Sequence, residues 1–210
     1  MNKIRYAIAG SAGRMGRTLI EAVLNDGDAT LSAALEHAAN PFLGKDAGES
    51  LGMPCGVKIS ADIPAALAGA DCLIDFTRPE GTLRHLAACR QHGISMIIGT
   101  TGFSPAEKET IAAAAKEIPI VFAPNMAVCV NAVFKLLDVA ARILDSGYDI
   151  EVIESHHRHK VDAPSGTALR MGEIVATALG RNLSECAIYG REGHTGERPA
   201  AQIGFSTIRG

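Results

Sequence analysis

The chain has 210 residues, of which 47% are hydrophobic and 20% charged, and a formal net charge of -3. That length allows one large or two small domains with a substantial core. Without a basic excess, a nucleic-acid or membrane-surface partner is excluded, and any bound anion must be met by a local cluster. Cys55, Cys72, Cys89, Cys129 and Cys186 are odd in number, widely spaced and never arranged as CxxC. They read as reduced, mostly buried small hydrophobes rather than a disulfide framework or a zinc ribbon. The apolar stretch after Lys3 and Arg5 breaks at Gly10, too early for a signal peptide, and no run approaches a membrane span, so the expected compartment is the cytoplasm.

In chain order, residues 4–9 form a short apolar strand, followed by a glycine-rich turn and a helical pattern through Met15, Leu19, Val23 and Leu24. A second strand over 29–35 ends at Glu36, and 37–60 reads as an irregular surface loop. The alternation resumes with a helix at 64–68, a strand at 72–76, a helix at 80–92, a strand at 95–99, a helix at 105–117 and a strand at 120–123. Short apolar strands alternating with helices predict α/β architecture, a doubly wound parallel sheet covered on both faces. After Asn125 the texture changes: a long apolar helix over 128–144, an alternating strand over 149–155, a polar loop, a helix over 166–179, and strand-like pieces in 187–208. A domain boundary is therefore expected near residue 127, giving domains 1–127 and 128–210.

The first chemical signal is Gly10-Ser11-Ala12-Gly13-Arg14-Met15-Gly16, placed between strand and helix. Glycines there allow a tight turn and close approach of a pyrophosphate, whose charge meets amides at the helix N-terminus. Glu36, about 20 residues on, stands where an acid takes the ribose hydroxyls of a dinucleotide. The bland alternative is a plain strand-to-helix turn beside a solvated acid. An acid at that place favours NAD over NADP, while Arg14 and a partly protonated His37 could offset it, so NADH and NADPH both stay open. Three further loops follow strands at their C-terminal ends: Phe76-Thr77-Arg78-Pro79, Gly99-Thr100-Thr101-Gly102 and Ala123-Pro124-Asn125-Met126. In an open α/β sheet, ligands lie outside those ends, although ordinary turn chemistry reads each loop about as well.

The second signal is Glu154-Ser155-His156-His157-Arg158-His159-Lys160-Val161-Asp162-Ala163-Pro164-Ser165-Gly166-Thr167-Ala168. Five successive residues can be cationic, and the end of the stretch looks like a helix start whose free amides favour an anion. Arg158 and Lys160 would oppose a divalent cation, so no metal site is expected. The alternatives are a solvated basic loop with a routine helix cap, or a carboxylate pocket with acid/base chemistry. In the pocket reading a histidine titrates near neutral pH, and a lysine beside other cations becomes a proton donor.

GRMG at 13–16, DFTRPEGT at 75–82, IGTTGF at 98–103, SHHRHKVDAPSGTA at 155–168 and REGHTGER at 191–198 together resemble the 4-hydroxy-tetrahydrodipicolinate reductase family along essentially the whole chain. The resemblance implies NADH- or NADPH-dependent reduction of a cyclic dicarboxylate, 4-hydroxy-tetrahydrodipicolinate, to tetrahydrodipicolinate with loss of water, in lysine and diaminopimelate biosynthesis. It implies His156 as proton donor and Lys160 as a second catalytic group, with His157, Ser165, Gly166 and Thr167 holding substrate carboxylate. Cofactor contacts would come from Gly10, Ser11, Ala12, Gly13, Arg14, Met15, Glu36, His37, Gly99, Thr100, Thr101, Ala123, Pro124, Asn125 and Met126. Two departures accompany it. His37 stands where family members often carry a basic residue, and family chains continue past the position of Gly210, completing a second α+β substrate and oligomerisation domain and a homotetramer. The rival readings are another two-domain nicotinamide dehydrogenase and a non-catalytic dinucleotide-binding fragment.

Overall fold

The structure, a computed structural model, describes residues 3–210. The chain divides into two compact units, Met1–Ala123 and Pro124–Gly210. In the first, six strands run β1 Ile4–Ala9, β2 Ala29–Leu35, β3 Ile59–Ser60, β4 Cys72–Asp75, β5 Ser95–Ile98 and β6 Ile120–Phe122. All their pairings are parallel, in the order β3-β2-β1-β4-β5-β6. The helices α1 Arg14–Asn25, α2 Ile63–Leu67, α3 Pro79–His92 and α4 Pro105–Ala114 supply the crossovers.

Because strand side chains alternate between faces, each central strand feeds two cores. Ala7, Ala9, Leu73 and Leu86 belong to one, with Ile98 and Ile111; Ile8, Ile74 and Ala34 belong to the other, against Ile20 and Val23 of α1. The doubly wound sheet expected from the alternating pattern is therefore present, and its order reverses direction between β1 and β4. That reversal opens a crevice outside the carboxyl ends of the strands, where such sheets bind ligands.

Local chemistry explains the element ends. Ser104 and Glu107 form a reciprocal capping box at the start of α4. The expected helix to residue 117 stops earlier, because Lys116 and Glu117 close turns onto Ala113 and Ala114 just ahead of Pro119, which restricts the residue before it. The stretch 37–60 departs from an irregular loop more strongly. Asp46 accepts backbone N–H groups from Gly48, Cys55 and Gly56, Phe42, Leu51 and Val57 pack against the α1-side core, and Ile59–Ser60 becomes the sheet's edge strand.

In the second unit, α5 Val128–Ile143 leads to β7 Ile150–His156, then α6 Gly166–Ala178, α7 Leu183–Cys186, β8 Ala187–Ile188 and β9 Ile203–Arg209. The three strands form a parallel sheet in the order β7-β9-β8. Its inner face packs Ile203 and Phe205 against Ala168, Val175 and Ala176 of α6 and Ala141 of α5. The four-residue α7 had no counterpart in the sequence reading. Arg198 ties the long polar tail back to β7, donating to Asp149, to Glu151 and to the carbonyls of Ile150 and Gln202.

All five cysteines are free thiols, and the expectation of mostly buried thiols holds only in part. Cys72 and Cys89 are buried, and burial pushes them up to about 11 and about 12; Cys55 and Cys186 are half-buried and Cys129 is exposed. Among the described residues no helix is long and apolar enough to cross a membrane.

Candidate active site

The glycine turn follows β1 directly. Gly10 has φ +66, and a Cβ there would stand 2.9 Å from Thr77 Cγ2. Gly13 is the N-cap of α1 without a side-chain cap, so the first-turn amides keep no side-chain acceptor at that position. Gly16 is the tightest point: a Cβ would lie 2.1 Å from the Gly10 carbonyl oxygen. The helix can begin so close to the strand only because no side chain intervenes.

Glu36 turns onto this feature, accepting from Ala12 N at 3.0 Å and from His37 N at 2.9 Å. His37 is exposed, and its Nδ1 accepts from Ala39 N. Arg14 and Met15 are exposed on the first turn of α1. Beside the turn lies a cavity of about 200 Å³ lined by Ser11, Ala12, Arg17, Phe42 and Lys45, among others. The Ser11 hydroxyl and Arg17 Nε are buried there without a protein partner. A cradle that any Cβ would fill, an uncapped helix start and an orphaned hydroxyl together fit a dinucleotide's phosphates and ribose.

A buried carboxylate organises the neighbouring loops. Asp75, fully buried at the end of β4, contacts His85 Nδ1 at 2.7 Å through Oδ2. Its Oδ1 accepts from Thr77 N at 2.8 Å and from Thr77 Oγ1 at 2.7 Å. Thr100, buried after β5, accepts a hydrogen bond through Oγ1 from the Thr82 hydroxyl at 2.9 Å. Burial pushes the Asp75 carboxyl up, but the contacts with His85 and Thr77 outweigh it and hold the group below the usual carboxylate range. Gly99 lies under the Phe76 ring, where a Cβ would be 2.0 Å away, and Thr101 is exposed. Ala123 N donates to the Ile98 carbonyl. The expected cofactor residues up to Ala123 thus lie at or just beyond the carboxyl ends of the strands. Pro124, Asn125 and Met126 belong to the second unit, where Asn125 Oδ1 accepts from Ala127 N ahead of α5.

The cationic cluster is built on β7 and the turn into α6. Alternation puts Val152, Glu154 and His156 on the face toward α6, and Glu151, Ile153 and Ser155 on the outer face. Glu154 Oε2 contacts His156 Nδ1, while its Oε1 accepts from Ser165 N and from both terminal nitrogens of Arg209, each at 3.2 Å. Burial raises the Glu154 carboxyl, but the bonds from Arg209 and Ser165 and the nearby charges bring it below its ordinary value. Sequence reasoning quoted Glu154 within the motif and gave it no role; the signal was its spacing of two from His156 on a strand.

Lys160 departs from expectation. Neighbouring cations were to surround it, yet its Nζ pairs with Asp162 Oδ1 at 2.7 Å. That bond draws the Asp162 carboxyl down against burial, which raises it, and the Gly166 amide adds to the lowering. His157 Nδ1 accepts from His159 N, and the two rings lie 6.0 Å apart. Ser165 is the buried N-cap of α6, its hydroxyl accepting from Ala168 N, so its side chain serves the helix. Gly166 and Thr167 form the first turn of α6. Among the described residues no group of three His, Cys, Asp or Glu is gathered to hold a metal ion.

Comparison with known proteins agrees over the whole chain. The family model for the dihydrodipicolinate reductase N-terminus matches residues 4–126, and that for the C-terminus matches residues 129–210. A curated 4-hydroxy-tetrahydrodipicolinate reductase of Aromatoleum aromaticum is 69% identical over 210 residues, covering 100% of this chain and 76% of that protein. One of Nitrosomonas eutropha is 64% identical, covering 100% of this chain and 78% of that protein. Among solved structures, a dipicolinate-bound dihydrodipicolinate reductase from Paenisporosarcina sp. TG-14 superposes with a TM-score of 0.71 at 27% identity, over 99% of this chain and 78% of that one. The chain belongs to the dihydrodipicolinate reductase family and is an oxidoreductase dependent on NADH or NADPH.

Proposed function

We propose that the enzyme reduces 4-hydroxy-tetrahydrodipicolinate to tetrahydrodipicolinate with His156 as proton donor and Lys160 as a second catalytic group. The observation that carries this assignment is the run of side chains able to carry positive charge from His156 to Lys160 leading, within one short segment, into the N-terminus of α6. Such a segment suits a small dicarboxylate: side-chain charge meets one end, and first-turn amides of Gly166 and Thr167 meet a carboxylate. The relatives' name and the dipicolinate bound to the Paenisporosarcina protein support the same substrate class.

The nicotinamide nucleotide supplies the hydride. The chain's own residues do the rest. Backbone at Gly10 to Met15 holds the phosphates, Glu36 takes the ribose hydroxyls, and the loop at Gly99 to Thr101 positions the nicotinamide side. Ala123 to Met126 would contribute further cofactor contacts. His157 and the cations beside it hold the substrate and stabilise negative charge as it develops on the ring nitrogen, where His156 delivers a proton. Ser165 acts through the helix it caps. The substrate hydroxyl leaves as water together with a hydrogen from the neighbouring ring carbon, and the hydride and the His156 proton then add to the unsaturated ring, so the reduction balances.

The enzyme is proposed to work in the cytoplasm as a homotetramer. Ile153 and Ile208, 70% and 52% exposed, share the outer face of the β7-β9 sheet, an apolar patch suited to a subunit contact. The direct test is oxidation of NADH and NADPH by the purified chain with substrate generated in situ. Replacing both His156 and Lys160 by Ala should lower turnover at least ~1000-fold and leave NADH affinity intact. Normal turnover by that double variant would remove the assignment.

A further inference from the structure

We propose that Glu154 is the positioning carboxylate of the reaction, holding His156 by Nδ1 so that Nε2 is the atom that delivers the proton. This rests on the assignment of His156 as donor. Strand geometry makes the pair: residues two apart on β7 share the face toward α6, and their side chains touch. The two oxygens have separate duties. Oε2 faces the imidazole, while Oε1 is occupied by the Ser165 amide and the Arg209 guanidinium. Glu154 therefore cannot rotate away without leaving the Ser165 amide unsatisfied and giving up its bonds from the Arg209 guanidinium.

Arg209 extends the anchorage, because it also donates to the Asp162 carbonyl at 2.6 Å. The His156 backbone is held in turn by the last strand, its carbonyl accepting from Gly210 N at 3.0 Å. Ring and backbone are thus fixed from two directions, with Glu154 at the junction. A histidine whose Nδ1 proton is committed to a carboxylate presents Nε2 in one tautomer and one orientation. When the Nε2–H bond breaks and its proton passes to the substrate nitrogen, the neutral imidazole keeps its remaining proton on Nδ1, still donated to Glu154. The carboxylate also stabilises the imidazolium before transfer, as the buried acid of a catalytic triad does. Glu154 itself neither gains nor loses a proton.

The test uses the Glu154→Gln variant, which keeps an oxygen for Ser165 and Arg209 but removes the charge. Expected is a kcat about 10- to 100-fold lower, with the substrate KM and the NADH dissociation constant within about twofold of the parent. Nitrogen NMR of ¹⁵N-histidine-labelled protein should show the Nδ1–H tautomer of His156 in the parent and its loss in the variant. A parent enzyme holding the Nε2–H tautomer would overturn the proposal even if the variant failed to fold. So would a variant with unchanged kcat, or one losing NADH affinity in step with kcat. The His156→Ala variant separates the two readings: if it retains turnover, the donor assignment fails; if it is dead while Glu154→Gln is normal, only the role of Glu154 fails.

Discussion

At Gly16 a single hydrogen atom in place of a side chain decides whether α1 can start so close to the end of β1. Gly16→Ala would drive a methyl group to 2.1 Å from the Gly10 carbonyl oxygen, a rigid neighbour. It should weaken NADH binding at least ~10-fold and cost about 1–3 kcal/mol of stability, read by fluorescence titration and urea unfolding. Gly27→Ala, where a Cβ meets open space, is the control and should be near neutral. Asp75 carries a different kind of dependence. Its folded carboxyl lies below the ordinary range, so its contribution is present above the unfolded value of about 3.9 and is lost as pH falls through the folded one. Asp75→Asn should cost of order 3 kcal/mol at pH 7, and the gap to the parent should shrink by pH 3. A gap equal at both pH values would show that shape, not charge, is what Asp75 supplies. The placement of the glycines and of Glu36 was legible in the sequence because each follows directly from the end of a predicted strand. The partnership of Asp75, His85 and Thr100 was not, because it joins β4, α3 and the loop after β5, and only the sheet pairing brings those together.

Among the elements, those with a clear period were legible almost to the residue: β1 and β2 occupy the stretches that apolar runs predicted, and α5 and α6 those of the helical patterns. The elements missed are those that owe their existence to a neighbour. Ile59–Ser60 is a strand because β2 offers an open edge, and Leu183–Cys186 is a helix under an Asn182 cap, too short to show periodicity. Capping predicts a measurable energy at this scale. Ser104→Ala removes one half of the α4 box and should cost about 1 kcal/mol in urea unfolding without changing cofactor affinity. A change in affinity instead would mean that α4 is held by the ligand more than by its cap. Gly172 sets the spacing of α6 above β9, since a Cβ there would meet the Phe205 ring at 2.4 Å. Enlarging it tests whether that spacing holds the α6 N-terminus in place.

For the whole molecule, the division into two compact units gives ligand binding a spatial signature. NADH at 100 times its dissociation constant adds about 2.7 kcal/mol to whatever it holds folded. Hydrogen exchange should slow at residues 10–16 and 99–101 more than along β7 and β9; uniform slowing would mean that cofactor and substrate residues open together. The parallel pairing of β7 with β9 joins Ile150 to Ile203 and His156 to Arg209, 53 positions apart in each case. Contacts so distant along a chain form slowly, because a long loop must close before they are rewarded. The sheet of the first unit is assembled from crossovers that are mostly shorter, and its turn can be finished early. Time therefore orders the two chemistries: in refolding, NADH binding should return first and turnover last, and the proposed proton donor waits for the strand that carries Arg209 to arrive beside it.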